Sequence, residues 1–198
     1  MYDEIQAAGA ELIAISPQTV EFTAEVQIDR PAEEVFPLVD VTDPRFKETQ
    51  MGAKVAAAEG SANRYELTMD GMDDVVFHFT VLEREVASHI KLEAVIEPQI
   101  NALEKSLETK VIEPVSDTAC LVKSTTIATF DADLTDEEVA GEIAVMNEAV
   151  MGDLEKLKIL AEDGLDALME AQEAEMSFDI EFDLGELDID WDDIEPEQ

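Results

Sequence analysis

The sequence predicts an α+β domain: seven antiparallel strands, two short helices after the first strand, and one long helix at the end. Three observations carry this. Apolar and polar residues alternate in a series of short segments, each giving a strand with one dry face. Turn residues punctuate these segments closely enough for hairpins to join all strands after the first. A capping signature then opens a run of apolar residues at steps of three and four, the spacing of one helical stripe.

The first strand is the clearest. Val20, Phe22, Ala24, Val26 and Ile28 alternate with Glu21, Thr23, Glu25, Gln27 and Asp29. Asp29-Arg30-Pro31 opens a helix, with Pro31 expected at its first position, where a missing N–H costs nothing. Glu33 and Glu34 suit the positive end of the helix dipole, and Val35, Phe36, Leu38 and Val39 supply the apolar face. Pro37 inside this run is expected to kink or shorten the helix. A second short helix is expected to start at Asp43-Pro44-Arg45-Phe46.

Strands follow over Lys54 to Glu59, Arg64 to Met69, and Val75 to Glu83, the last with Phe77, Phe79 and Val81 on one face. Ile90, Leu92, Ala94 and Ile96 form the next, interrupted at Pro98, with a wide loop expected from Gln99 to Leu103. Leu107, Thr109 and Val111 alternate up to Pro114, and Cys120 to Phe130 closes the series.

Thr135-Asp136-Glu137-Glu138 is a capping box, in which the Thr hydroxyl and the Glu carboxylate each take a free N–H. Val139, Ile143, Met146, Val150, Leu154 and Leu157 form the stripe behind it. Run to Asp163, this helix is roughly 40 Å long at about 1.5 Å per residue, enough to cross a sheet. Gly152 within it marks either a close approach or a weak spot.

Charge excludes several functions. The chain has 49 acids against 12 bases, a formal net charge of −37. Such a chain repels phosphate backbones and anionic membranes, so nucleic-acid binding is not expected. No uninterrupted apolar stretch is long enough to span a bilayer, and no secretory signal precedes the domain, so a cytoplasmic protein is expected. A salt-adapted host would account for the excess acid, because salt screens self-repulsion.

Residues 1–19 read as an N-terminal extension, 20–170 as the domain and 171–198 as an acidic tail holding 12 acids and no base. In the tail Met176, Phe178, Ile180, Phe182 and Leu184 alternate with Ser177 and acids, and Leu187, Ile189 and Trp191 continue the pattern. Facing acids repel across a hairpin. The tail is therefore expected to be disordered or loosely docked, with residues 176–194 open to a basic protein partner.

Two resemblances stand out. The stretch Ala7-Ala8-Gly9-Ala10-Glu11-Leu12-Ile13-Ala14-Ile15-Ser16-Pro17-Gln18-Thr19 resembles a segment of peroxiredoxins, but no cysteine precedes it and no peroxidase chemistry carries over. Val26-Gln27-Ile28-Asp29-Arg30-Pro31-Ala32-Glu33-Glu34-Val35-Phe36, with Leu154-Glu155-Lys156-Leu157-Lys158, resembles the SRPBCC superfamily. That group holds START lipid-transfer domains, polyketide cyclases and aromatases, and pollen-allergen-like proteins. The similarity covers about residues 20–170 and implies a helix-grip fold: a sheet curled around the terminal helix, with a cavity between them. It implies carriage of an apolar small molecule such as a lipid, isoprenoid or polyketide. A cyclase- or dehydratase-type enzyme in the same cavity, or an interaction protein acting through its acidic tail, are the alternatives.

Catalytic motifs are missing from the sequence. His78 and His89 are the two histidines, with no HExxH spacing, and His78 falls opposite Phe77 and Phe79. GxSxG, P-loop, GxGxxG and EF-hand patterns are lacking. Cys120, the single cysteine, forms no internal disulfide or CxxC pair and reads as a small buried strand residue. No cofactor or metal is expected, and no catalytic set is assigned. Cavity candidates are Phe77, Phe79, Val81, Ile90 and Leu92 from the strands, Met146, Val150, Met151 and Leu154 from the helix, and Thr125 as a polar contact, with Thr129 and Lys123 beside it.

Overall fold

A computed structural model of the chain describes residues 13–16, 19–46, 53–69, 71–72, 74–99, 102–131 and 134–174. Eight strands form one antiparallel sheet: β1 (Ile13–Ser16), β2 (Thr19–Ile28), β3 (Lys54–Ala57), β4 (Arg64–Thr68), β5 (Val76–Glu85), β6 (His89–Glu97), β7 (Leu103–Ser116) and β8 (Ala119–Phe130). Their order is β1-β2-β8-β7-β6-β5-β4-β3, so the strand after the extension lies against the last one. The seven strands expected from Val20 onward are all present. Ile13–Ser16 adds an edge by pairing with β2, Ala14 opposite Val20. The sheet curves around the long helix, which is the predicted α+β helix-grip architecture.

Helix α1 (Ala32–Val39) follows β2, and helix α2 (Asp136–Asp163) follows β8. Pro31 is the N-cap of α1 rather than its first helical residue: its backbone is extended, and its carbonyl accepts from the N–H groups of Glu34 and Val35. The missing N–H is harmless there for the same reason. Pro37 sits inside α1, which stops after eight residues. All of α1 is buried except Glu33 and Glu34. Phe46 has helical geometry, and 47–52 lie outside the described residues.

Two expected breaks fall elsewhere. Leu103 already belongs to β7, and Pro114 lies within that strand, where the register with β8 shifts between Pro114 and Ser116. A shift of this kind tolerates a residue with no donor to give.

The capping box of α2 forms as expected. Thr135 Oγ1 accepts from Glu138 N–H (3.3 Å), and Glu138 Oε2 accepts from Thr135 N–H (2.8 Å). At the far end Gly164, with φ of +90°, donates its N–H to the carbonyls of Ile159 and Leu160. A Cβ added at Gly152 would meet nothing within 4 Å, so no close approach requires that glycine. Residues 165–174 form a further helical segment that crosses the expected domain boundary at residue 170. The tail pattern at 176–191 lies outside the described residues.

Burial grows along α2. Val139, Ile143 and Met146 are half-buried, whereas Val150, Leu154, Leu157 and Leu160 are buried. The C-terminal half is also latched to the end of β2. Lys158 Nζ donates to the Gln27 carbonyl (2.7 Å), Arg30 donates to the Glu162 carbonyl, and Glu162 Oε1 accepts from Asp29 N–H (2.7 Å) and Lys158 Nζ (2.8 Å). The Asp29 N–H first, then Lys158, hold the Glu162 carboxyl below its usual range. A depressed folded-state pKa gives stability that is present above the unfolded value and lost as pH falls through the folded one. Glu162→Gln is expected to cost about 1 kcal/mol at neutral pH. The difference from the parent should shrink as pH falls below the ordinary glutamate range and be lost once pH passes below the depressed folded value, as thermal melts at several pH values would show.

Candidate functional site

Cross-strand partners share a face, so the register lists what the sheet presents to α2. One row reads Val81, Leu92, Glu108, Thr126, Phe22; the next reads Arg84, Ile90, Lys110, Ser124, Ala24; a third reads Phe79, Ala94, Ser106, Ala128, Val20. Apart from Arg84, the flanks are apolar. The centre, contributed by β7 and β8, is polar.

Lys110 Nζ lies 3.5 Å from Glu108 Oε2, and Ser106 donates to Glu108 Oε1 at 3.0 Å. Beside them Ser124 and Thr126 are buried, with 3% and 4% exposure. Above this patch Met146, Ala149, Val150 and Asp153 of α2 close a hollow of about 70 Å³. A second hollow of about 30 Å³ continues toward Leu38, Val39, Phe46 and Leu157, with Lys110, Asp153 and Lys156 on its wall. On the other side of α2 a groove of about 780 Å³ runs along Gly152, Ile159, Leu168 and Ala171. Asp153 borders all three spaces.

Asp153 makes no hydrogen bond or ion pair. It is exposed to water at the rim of the hollow, with α2 and the sheet packed around its base. Desolvation by that packing pushes its carboxyl above the ordinary range; Lys110 opposes the shift, Glu108 adds to it, and Lys156 opposes it again.

The candidate residues separate into groups. Met146 and Val150 border the 70 Å³ hollow. Phe77, Phe79 and Val81 lie half-buried on the helix-facing side of β5, the Phe79 ring meeting Phe46 edge-on at 6.2 Å. Ile90, Leu92 and Leu154 are sealed in the core. Met151 lies off the stripe of Met146, Val150 and Leu154 and is 39% exposed. Thr125 points to the opposite face, its hydroxyl 3.5 Å from that of Thr23. Lys123 and Thr129 share its parity, and Lys123 bonds Glu113 there. The hydroxyls that do face the helix are those of Ser124 and Thr126, one residue to either side.

Other expected placements are clear. His78 lies on the opposite face, 3.4 Å from Glu97, and His89 lies near Glu83 and Glu85. Among the described residues no group of His, Cys, Asp and Glu is arranged to hold a metal ion. Cys120 is fully buried, and desolvation raises its thiol pKa. Among the described residues no helix is long and apolar enough to cross a membrane.

The fold has known counterparts. The chain resembles the Aha1 dimer protein from Colwellia psychrerythraea (TM-score 0.54, 15% identity, covering 73% of this chain and 97% of that one). It also resembles the Zhui aromatase/cyclase from Streptomyces sp. R1128 (0.56, 16%, 72% and 93%) and Ara h 8.0201 (0.53, 14%, 69% and 95%). These are helix-grip structures of the SRPBCC superfamily, and the chain has that fold. No protein-family model matches the sequence, and no curated protein is similar to it.

Proposed function

We propose that this protein binds an apolar small molecule, of lipid, isoprenoid or polyketide type, between its sheet and α2. The observation that carries this reading is the hollow between α2 and the sheet, roofed by Met146, Ala149 and Val150 over the polar floor of Glu108, Lys110, Ser124 and Thr126, in a fold whose counterparts include an aromatase/cyclase. Burial of apolar ligand surface would supply the affinity, at roughly 25 cal/mol per Å². A hollow of 70 Å³ has room for about two waters, at about 30 Å³ each, and ligand pockets usually exceed about 300 Å³. Binding therefore requires the N-terminal half of α2 to lift. Its half-buried packing against a C-terminal half that is latched supports such a movement.

Val150→Trp fills the hollow. The parent should enhance Nile red fluorescence and the variant should not, with both melting cooperatively. Equal dye binding by the two would overturn the placement of the site.

A cyclase- or dehydratase-type enzyme is the second reading, favoured by Asp153. A carboxyl whose proton affinity is raised by crowding, beside a hollow, is suited to proton transfer. The reading of residues 176–194 as a seat for a basic partner is separated from both by deleting 172–198, which should leave dye binding intact.

A further inference from the structure

We infer that the molecule held under α2 is an amphiphilic amine, its ammonium group seated among Asp153, Ser124 and Thr126. This rests on the binding reading above and deepens it.

Two buried hydroxyls and one exposed carboxylate border the hollow without a protein partner among the described residues. Asp153 has neither a hydrogen bond nor an ion pair. The Ser124 and Thr126 hydroxyls have no hydrogen-bond partner either, although both residues are more than nine-tenths buried. Among the described residues no buried polar side-chain atom is sealed without a partner, so these hydroxyls open onto the hollow they line. Buried polar groups are ordinarily satisfied, so the two buried hydroxyls, with the water-exposed Asp153 carboxylate at their rim, define a seat for a ligand's polar end.

The charge of the seat selects its sign. Two carboxylates, Glu108 and Asp153, face one ammonium, Lys110, around this hollow, and Lys110 lies at ion-pair distance from Glu108. Lys156 offsets part of the excess negative charge from the groove side without reaching ion-pair distance. An ammonium can donate to all three acceptors at once. A carboxylate would meet Asp153 and Glu108 as like charges. The net charge of −37 acts the same way over longer range, concentrating cations and repelling anions. A space of about 70 Å³ admits an ammonium with its first carbons, while the apolar body extends past Met146.

The test displaces Nile red from the full chain with octylamine, octanol and octanoate, which share one apolar body. Octylamine should bind about tenfold more tightly than octanol, the gain of one charge-assisted hydrogen bond, and octanoate should be weakest. Asp153→Asn, on the water-accessible side of a helix, should remove the amine preference and leave octanol within about twofold. Ser124→Ala should reduce the preference less. Equal affinity for amine and alcohol, or a preference for octanoate, would overturn the amine seat while leaving apolar binding standing. Failure of the parent to bind the dye or any of the three would overturn both.

Discussion

Replacing Leu154 by alanine is expected to cost about 3 kcal/mol, within the range for emptying a buried leucine site. Leu154 is 3% exposed and belongs to the same core as Phe22, Leu92 and Phe130. It also lies one turn beyond Val150, where α2 changes from half-buried to buried. The loss should appear in urea unfolding as a lower midpoint with an unchanged slope. The equivalent change at Ile143, in the half-buried part of the helix, should cost less than half as much. Equal costs at the two positions would mean that the helix is seated evenly and that its N-terminal half has no special freedom to lift.

Arg84→Leu is the second large effect. Asp40 is 1% exposed; its Oδ2 accepts from Arg84 Nε (2.8 Å) and lies 2.7 Å from Nη2, while Oδ1 accepts from Thr42 N–H. The guanidinium also lies 5.7 Å from the centre of the Phe36 ring. Removing it leaves a buried carboxylate with one backbone donor. Loss of one partner from a buried pair typically costs 3–5 kcal/mol, and the open side of Arg84 puts this case near about 3 kcal/mol. Neutralising the partner as well, in Asp40→Asn/Arg84→Leu, should recover part of the loss. Denaturant titration of the three proteins would measure this, and a double variant no better than Arg84→Leu would contradict the charge-burial explanation.

Arg84 shows why part of the fold was not legible in the sequence. Alternation along β5 from Phe77 puts Val81 on the helix side and Arg84 on the other. The register shifts between Val81 and Glu83, and Arg84 comes opposite Ile90, facing Asp40. One extra residue inverts the parity of everything beyond it. Strands with one apolar face, such as β2 and β6, were legible because a single alternation fixes which side is buried. The capping box and stripe made α2 equally plain, to its last residue.

The polar centre of the site was harder to see for a related reason. In β7 the apolar alternation Leu107, Thr109, Val111 lies on the face away from α2, and Ser106, Glu108 and Lys110 lie beneath it. A reader who assigns apolar residues inward discards the very side chains that surround the hollow. In β8 the polar alternation of Lys123, Thr125 and Thr129 also lies on the outer face, and Thr125's neighbours Ser124 and Thr126 hold the inward positions. The buried alternation of β8, with Val122, Ala128 and Phe130 on the same side as Ser124 and Thr126, was the signal available to find them.

Native mass spectrometry of the gently purified protein, with organic extraction of what it carries, tests the central claim most directly. A recurrent amphiphilic species in a one-to-one ratio, missing from Val150→Trp, is the predicted result. A parent protein that is empty on purification and remains empty after incubation with octylamine, octanol and octanoate would contradict ligand binding between the sheet and α2.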